Sequence, residues 1–305
     1  MKPIFNMLNT ITASLHNDVL VHEDQQLLDL LHNEYSQAYE LWKKDIRLYK
    51  GIGDKNITSP HIITPVHRGK YLEAVTVLYT NILNILPQWA EYPNRQNSVM
   101  AINNKRDAEL YGNVVYVLIK NNSEIGVCPR HDMWISFPRL GNVAKYPTLT
   151  AFIASFAYLA CYALYSNKTN KKMDIIDIIN TYDINDVISI CDNIYLSNEY
   201  TNIKDELYSF EKILPKYAIN NSSHIISVAV NIVDYIKQFN STYKMLSWML
   251  DPESNGFKLI ETNEINILYD DNSDSHEVWY AAENLLVPIT TKYNHILKYG
   301  EMYDE

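Results

Sequence analysis

Ser275-His276-Glu277-Val278-Trp279-Tyr280, followed by Leu285-Leu286-Val287-Pro288-Ile289, decides how this chain reads. A carboxylate opens one apolar, aromatic-rich strand (277–280), and a second apolar strand (285–289) comes next. Glutamate is commoner on helices, so one at the head of such a strand is a functional candidate if a cleft partly buries it. The polar, acidic loop Asp270-Asp271-Asn272-Ser273-Asp274 precedes it.

Upstream, Pro252 and Gly256 separate this region from a long helical stretch, and strands are expected at 257–261 and 265–269. From Thr148 to about Leu250 the apolar spacing is helical throughout. Leu149 to Tyr165 is almost uncharged, but it is at the short edge for a membrane span and carries Thr150, Ser155 and three tyrosines, so a buried helix is expected. Before it, short strands are expected at 61–69, 98–102, 113–119, 124–128 and 133–137. Helices are expected at 71–86 and over one or two turns at 105–110, with Tyr111-Gly112 ending the latter and Tyr111 packing inward. Asn17 to Leu48 reads as helical, ended by Gly51 and Gly53. The division expected is an N-terminal helical region (1–55), a first part of a β core (56–145), a helical insertion (146–250) and a second part of the core (251–305). Fold class is therefore α+β.

Composition narrows the function. Hydrophobic residues make up 47% of the 305, enough for a sizeable core. The formal net charge of −10 disfavours the broad basic footprint of a non-specific nucleic-acid binder, though not a local basic groove. The 24 tyrosines, with abundant Asn, Ile and Lys, read as AT-rich codon usage. Cys128, Cys161 and Cys191 are far apart and lack Cys-x-x-Cys spacing, which points away from disulfides and zinc and towards a reducing compartment. The N-terminal stretch lacks a sustained apolar run, so no signal peptide is expected. No Gly-rich phosphate loop, Gly-x-Ser-x-Gly elbow or His-based metal motif is present, and no metal is expected.

Two further places could carry chemistry with Glu277. His67-Arg68-Gly69 closes a strand, where Arg68 could present its fork of donors to a phosphate and Gly69 would let the backbone approach a ligand. Arg95-Gln96-Asn97-Ser98 opens another strand after a Pro-bounded loop, and Ser98 could bond a ligand hydroxyl. Asp132-Met133-Trp134-Ile135-Ser136-Phe137 reads equally as a pocket wall or as a strand-edge core cluster. His131 and His276 read as polar rim residues, Cys128 as a small buried side chain, and Glu261 with Glu264 as a solvated strand end.

Taken in order, Arg-Gly on a first strand, Ser on a second and Glu-Val on a third resemble the Arg-Ser-Glu class of ADP-ribosyltransferases. The chain is most similar to a group of these encoded by large tailed bacteriophages. Leu86-Pro-Gln-Trp89, Tyr92-Pro-Asn-Arg95, Ser98, Tyr111-Gly112 and Ile125-Gly-Val-Cys-Pro129, followed by Asp132-x-Trp134-x-Ser136-Phe137, carry that narrower resemblance, which spans about Pro60–Phe137 and Glu261–Ile289. It implies a split β-sandwich with NAD, the co-substrate, in a cleft between two small sheets. Arg68, with Gly69, would bind NAD and order the site. Ser98 would support the nicotinamide-side ribose and the glutamate, and Arg95, Asp132 and Trp134 would line the cofactor site. Glu277 would stabilise the oxocarbenium-like transition state as nicotinamide leaves.

The resemblance also implies transfer of ADP-ribose to a host protein or RNA in the infected bacterial cytoplasm, by a protein made there or delivered with the virion. No membrane partner is expected. Ser98 is followed by Val99 and Met100 rather than a Ser-Thr-Ser cluster, and Ser275 stands where arginine-modifying members carry a first glutamate. Arginine is therefore a doubtful acceptor. NAD glycohydrolysis and a non-catalytic, transferase-like binding or virion-associated protein are the alternatives.

Overall fold

The structure, a computed structural model, describes residues 19–21, 24–53, 57–65, 74–143, 148–166, 175–196, 203–211, 222–269 and 275–303. Its elements in chain order are β1 (Val19–Leu20), α1 (Asp24–Asn33), α2 (Ser36–Lys43), β2 (Leu48–Gly51), β3 (His61–Ile63), α3 (Ala74–Ile85), β4 (Val99–Ile102), α4 (Lys105–Glu109), β5 (Val114–Ile119) and β6 (Glu124–Val127). There follow α5 (Leu149–Leu164), α6 (Ile175–Thr181), α7 (Ile184–Leu196), α8 (Ile203–Glu211), α9 (Ser222–Phe239), α10 (Thr242–Met249), α11 (Pro252–Asn255), β7 (Lys258–Glu261), β8 (Glu277–Tyr280), β9 (Asn284–Pro288) and α12 (Thr291–Tyr299). The class is α+β, as the sequence indicates.

The chain forms two compact units. The first comprises Met1–Tyr71, Glu91–Asp132 and Phe257–Glu305, and the second Leu72–Ala90 and Met133–Gly256. In the first, the strands pair antiparallel in one unbroken order, β1-β3-β9-β5-β2-β4-β8-β6-β7. The pairing therefore does not divide into the two separate sheets that the resemblance implies. The sheet is apolar on both faces where β5 and β9 lie. Val115, Val117, Ile119 and Leu286 face one core with Val99, Ala101, Val127 and Val278. Tyr116, Leu118, Leu285 and Val287 face the other, under Leu27, Leu31, Tyr39 and Trp42 of α1 and α2 and Ile296 and Leu297 of α12. This alternation is the two-residue period of a strand buried on both sides.

Several local expectations change. The stretch from 17 to 48 holds β1 and two helices, interrupted at Glu34-Tyr35, rather than one helical run. Leu48–Gly51 adds a strand at its end. Ile265–Tyr269 and Met133–Phe137, expected as strands, instead lie in 3-10 turns at Thr262–Tyr269 and Met133–Ile135. Ile265 and Leu268 are three residues apart and both buried, which a three-residue turn achieves and a two-residue alternation does not. Tyr269 at its end accepts the Arg47 amide at 2.9 Å.

Strands β5 and β6 flank the turn at Asn121-Asn122 yet do not pair: β5 lies between β9 and β2, and β6 between β8 and β7. Polar contacts tie that turn to the junction of α1 and α2. The Asn121 side chain accepts the Gln37 amide at 2.9 Å and donates to the Asn33 carbonyl at 2.7 Å and the Ser36 hydroxyl at 3.0 Å. Tyr35, the residue just before α2, offers no side-chain cap of its own, so Asn121 supplies it from a distant part of the chain. Asn121→Ala is expected to cost about 1–2 kcal/mol of stability, read as a lower urea midpoint. An unchanged midpoint would show that water replaces the cap without cost.

The helical unit also takes in 72–90, which the sequence division assigned to the β core. Helix α3 is apolar around most of its circumference, burying Leu78, Tyr79, Ile82 and Leu83, and it packs on α5, α6 and α7. Helix α5 is the apolar run weighed above as a membrane span, and nearly all of it is buried among its neighbours. Among the described residues, no helix is long and apolar enough to cross a membrane. Trp89 closes the unit by donating to the Leu250 carbonyl at 2.8 Å.

Candidate functional site

Strand β8 runs between β4 and β6, with Glu277 opposite Ile102 and Trp279 opposite both Met100 and Gly126. Side chains alternate along a strand, so Glu277 and Trp279 share one face while Val278 and Tyr280 enter the core on the other. Gly126 is the reason the indole fits. A Cβ there would lie 2.2 Å from Trp279 Cζ2. Trp279 is fully buried, donates from Nε1 to the Pro93 carbonyl at 2.8 Å, and is stacked by Tyr92 at 5.9 Å. Gly126→Ala is therefore expected to displace the indole and cost about 1–3 kcal/mol. Denaturant unfolding followed by tryptophan fluorescence checks this; an unaltered midpoint and spectrum would contradict the packing.

Arg95 is delivered to Glu277 along this face. It sits in the 3-10 turn Arg95–Asn97, which Asn94 caps by accepting the Gln96 amide at 2.9 Å. Its guanidinium passes over the Trp279 ring at 5.0 Å from the centroid, and Nη2 donates to Glu277 Oε1 at 2.7 Å. The two side chains are only 7% and 15% exposed, so this pair is far less screened than a surface salt bridge.

Cys128 and His276 complete the setting. The Cys128 amide donates to the Glu277 carbonyl at 2.8 Å, and its Sγ lies 3.8 Å from Glu277 Oε1. His276 Nδ1 donates to the Cys128 carbonyl at 2.9 Å, which fixes the tautomer because a carbonyl only accepts. The His276 amide donates to Asn103 Oδ1 at 2.7 Å. His276 is thus part of the scaffold around Glu277 rather than a rim residue.

Tyr111 does not pack fully inward as expected; the residue is 39% exposed although its hydroxyl is withdrawn from water. Withdrawal of its hydroxyl from water raises the phenol's pKa, and the carboxylates of Asp132, Glu277 and Asp107 push it the same way. Tyr111 therefore stays protonated, within the field of two of the expected site residues, Asp132 and Glu277. Gly112 has φ +114°, and a Cβ there would meet the Gly53 carbonyl at 2.3 Å, so this glycine serves the passage of two backbones as well as the end of α4.

The expected constellation is assembled only in part. Arg95 is brought onto Glu277, while Asp132 and Glu277 both act electrostatically on the Tyr111 phenol. Ser98 does not support Glu277: Val99 pairs with Tyr280 and Ile102 with Glu277, so Ser98 stands at the far end of the β4–β8 pair, about 13 Å along the strand. Its hydroxyl, 1% exposed, donates to the Asn94 carbonyl at 2.7 Å. Trp134 lies in the helical unit, edge-on to Tyr79 at 4.9 Å. Arg68 and Gly69 lie outside the described residues, as does the acidic loop 270–274.

The role of Cys128 was not legible, although Gly126-x-Cys128 carried a signal: small side chains on one strand face leave room for large ones on the neighbour. Among the described residues no group of His, Cys, Asp and Glu side chains is set to hold a metal ion. No protein-family model, characterised protein or solved structure matches the chain.

Proposed function

We propose that this chain is a mono-ADP-ribosyltransferase of the glycosyltransferase class, cleaving NAD at the nicotinamide–ribose bond with Glu277 as its catalytic carboxylate. One observation carries the reading: Glu277, at the head of an interior strand, is largely buried and held by Arg95 at 2.7 Å. A carboxylate whose position is set before the ligand arrives can stabilise positive charge as it develops, without reorganising. When the C1′–N bond breaks, its electron pair neutralises the nicotinamide ring and C1′ becomes cationic. An acceptor lone pair then bonds C1′, and the acceptor's proton leaves to solvent. Arg95 takes the supporting place that the resemblance gives to Ser98. Arg68 and Gly69 retain the NAD-binding role that the resemblance implies, and Asp132 its place lining the cofactor site. The finer fold that goes with this reading is the transferase-like split β-sandwich. The acceptor is a host protein or RNA, and the setting is the cytoplasm of a phage-infected bacterium.

A second reading is a transferase-like binding protein without catalysis. The observation favouring it is the commitment of Ser98 to Asn94 while Arg95 already neutralises Glu277. The experiment that separates the readings is nicotinamide release from NAD by the purified chain, with and without bacterial lysate. Release that rises with lysate, with ADP-ribose appearing on a macromolecule, supports the transferase. Release without labelling indicates a glycohydrolase using water. No release in either condition rejects NAD cleavage in favour of the binding protein.

A further inference from the structure

We propose that Cys128 is a positioning residue for Glu277: its thiol and the Arg95 guanidinium together hold Oε1, leaving Oε2 as the oxygen that meets a ligand. This rests on Glu277 being the functional carboxylate. Among the described residues, both side-chain hydrogen bonds to Glu277 end on Oε1, from Arg95 Nη2 at 2.7 Å and from Cys128 Sγ at 3.8 Å. A carboxylate gripped at one oxygen from two directions loses rotation about its terminal torsion, which is otherwise broad. The second oxygen then points one way.

The backbone shows why Cys128 can do this. It follows the last residue of β6, Val127, which pairs with Val278. Its amide bonds the Glu277 carbonyl at 2.8 Å and its carbonyl accepts His276 Nδ1 at 2.9 Å. Cys128 is therefore tied to the head of β8 through both its amide and its carbonyl, and its side chain is wholly buried. Alternation places it on the same face as Gly126, which makes room for Trp279. The strand thus offers two small side chains, one under the indole and one beside the carboxylate. A thiol is a weak donor, and an ionised carboxylate is the acceptor that strengthens it most. Alanine would fill the place without donating, whereas serine would donate more strongly over a shorter reach.

The test uses the full chain carrying Cys128→Ala or Cys128→Ser, with Glu277→Gln as reference. Two quantities are measured: nicotinamide release from NAD, and the side-chain carboxyl carbon resonance of Glu277 in glutamate-labelled protein, assigned by its loss in the reference. Cys128→Ala is expected to lower kcat about three- to tenfold with KM nearly unchanged, and Cys128→Ser, whose donor has the shorter reach, to restore part of it. The Glu277 resonance should move in the alanine variant and return in the serine variant. A purely structural role would not separate alanine from serine in this way. A wild-type kcat and an unmoved resonance in Cys128→Ala overturn the proposal, as does a loss that serine leaves unrestored. Absence of nicotinamide release by the wild type overturns the transferase reading instead, and the resonance then decides alone: movement with alanine and return with serine support the positioning role, and no movement rejects it.

Discussion

Glu277→Gln is expected to lower nicotinamide release by about two to three orders of magnitude while leaving the fold intact. Glutamine has the same shape, and its carbonyl can still accept from Arg95 where Oε1 does now. What disappears is the negative charge, the property the proposed transition state needs. The substitution also leaves the Arg95 guanidinium, 7% exposed, without its counter-charge. That should cost about 1–3 kcal/mol, so circular dichroism and a thermal melt must accompany the kinetics. A folded Glu277→Gln variant that releases nicotinamide at the wild-type rate would remove Glu277 from the catalytic role.

The largest stability effect is expected at Trp279. Replacing a fully buried tryptophan by alanine typically costs about 3–5 kcal/mol through lost transfer energy and the cavity left behind. Here the indole is also the platform for Arg95, the partner of Tyr92 and the donor to Pro93. Trp279→Ala should therefore lower the urea midpoint more than any other single truncation in β8, and should weaken nicotinamide release beyond the stability loss because Arg95 loses its support. Urea unfolding of Trp279→Ala and Trp279→Phe checks this. A wild-type midpoint for Trp279→Ala would contradict this, and a wild-type midpoint for Trp279→Phe would show that the indole's hydrogen bond adds little beyond its ring volume.

The Arg95–Glu277 contact joins two residues singled out from sequence, and the reason Glu277 faces that way is local. Glu277-Val278-Trp279-Tyr280 alternates a functional face with a core face, and that alternation is written in the residue types themselves. The strands at 99–102, 114–119, 124–127 and 284–288, and the helices from 149 to 249, are likewise visible because apolar spacing of two or of three to four residues is a property of neighbours in the chain. Where spacing served two structures equally, the reading failed. Ile265 and Leu268 fit a buried 3-10 turn, and Leu48–Gly51 merged into the helical pattern before it.

The sequence by itself determined the α+β class, most of the elements and the carboxylate at the head of β8. Only the tertiary structure decided the order of the strands and therefore which side chains meet. That Ser98 stands at the wrong end of β4, that Arg95 reaches Glu277 across an indole, and that Cys128 lies against the same oxygen all follow from the β4–β8–β6 register. Register is set by burial and hydrogen bonding between segments far apart in the chain, and a shift of one residue would send each of these side chains to the opposite face.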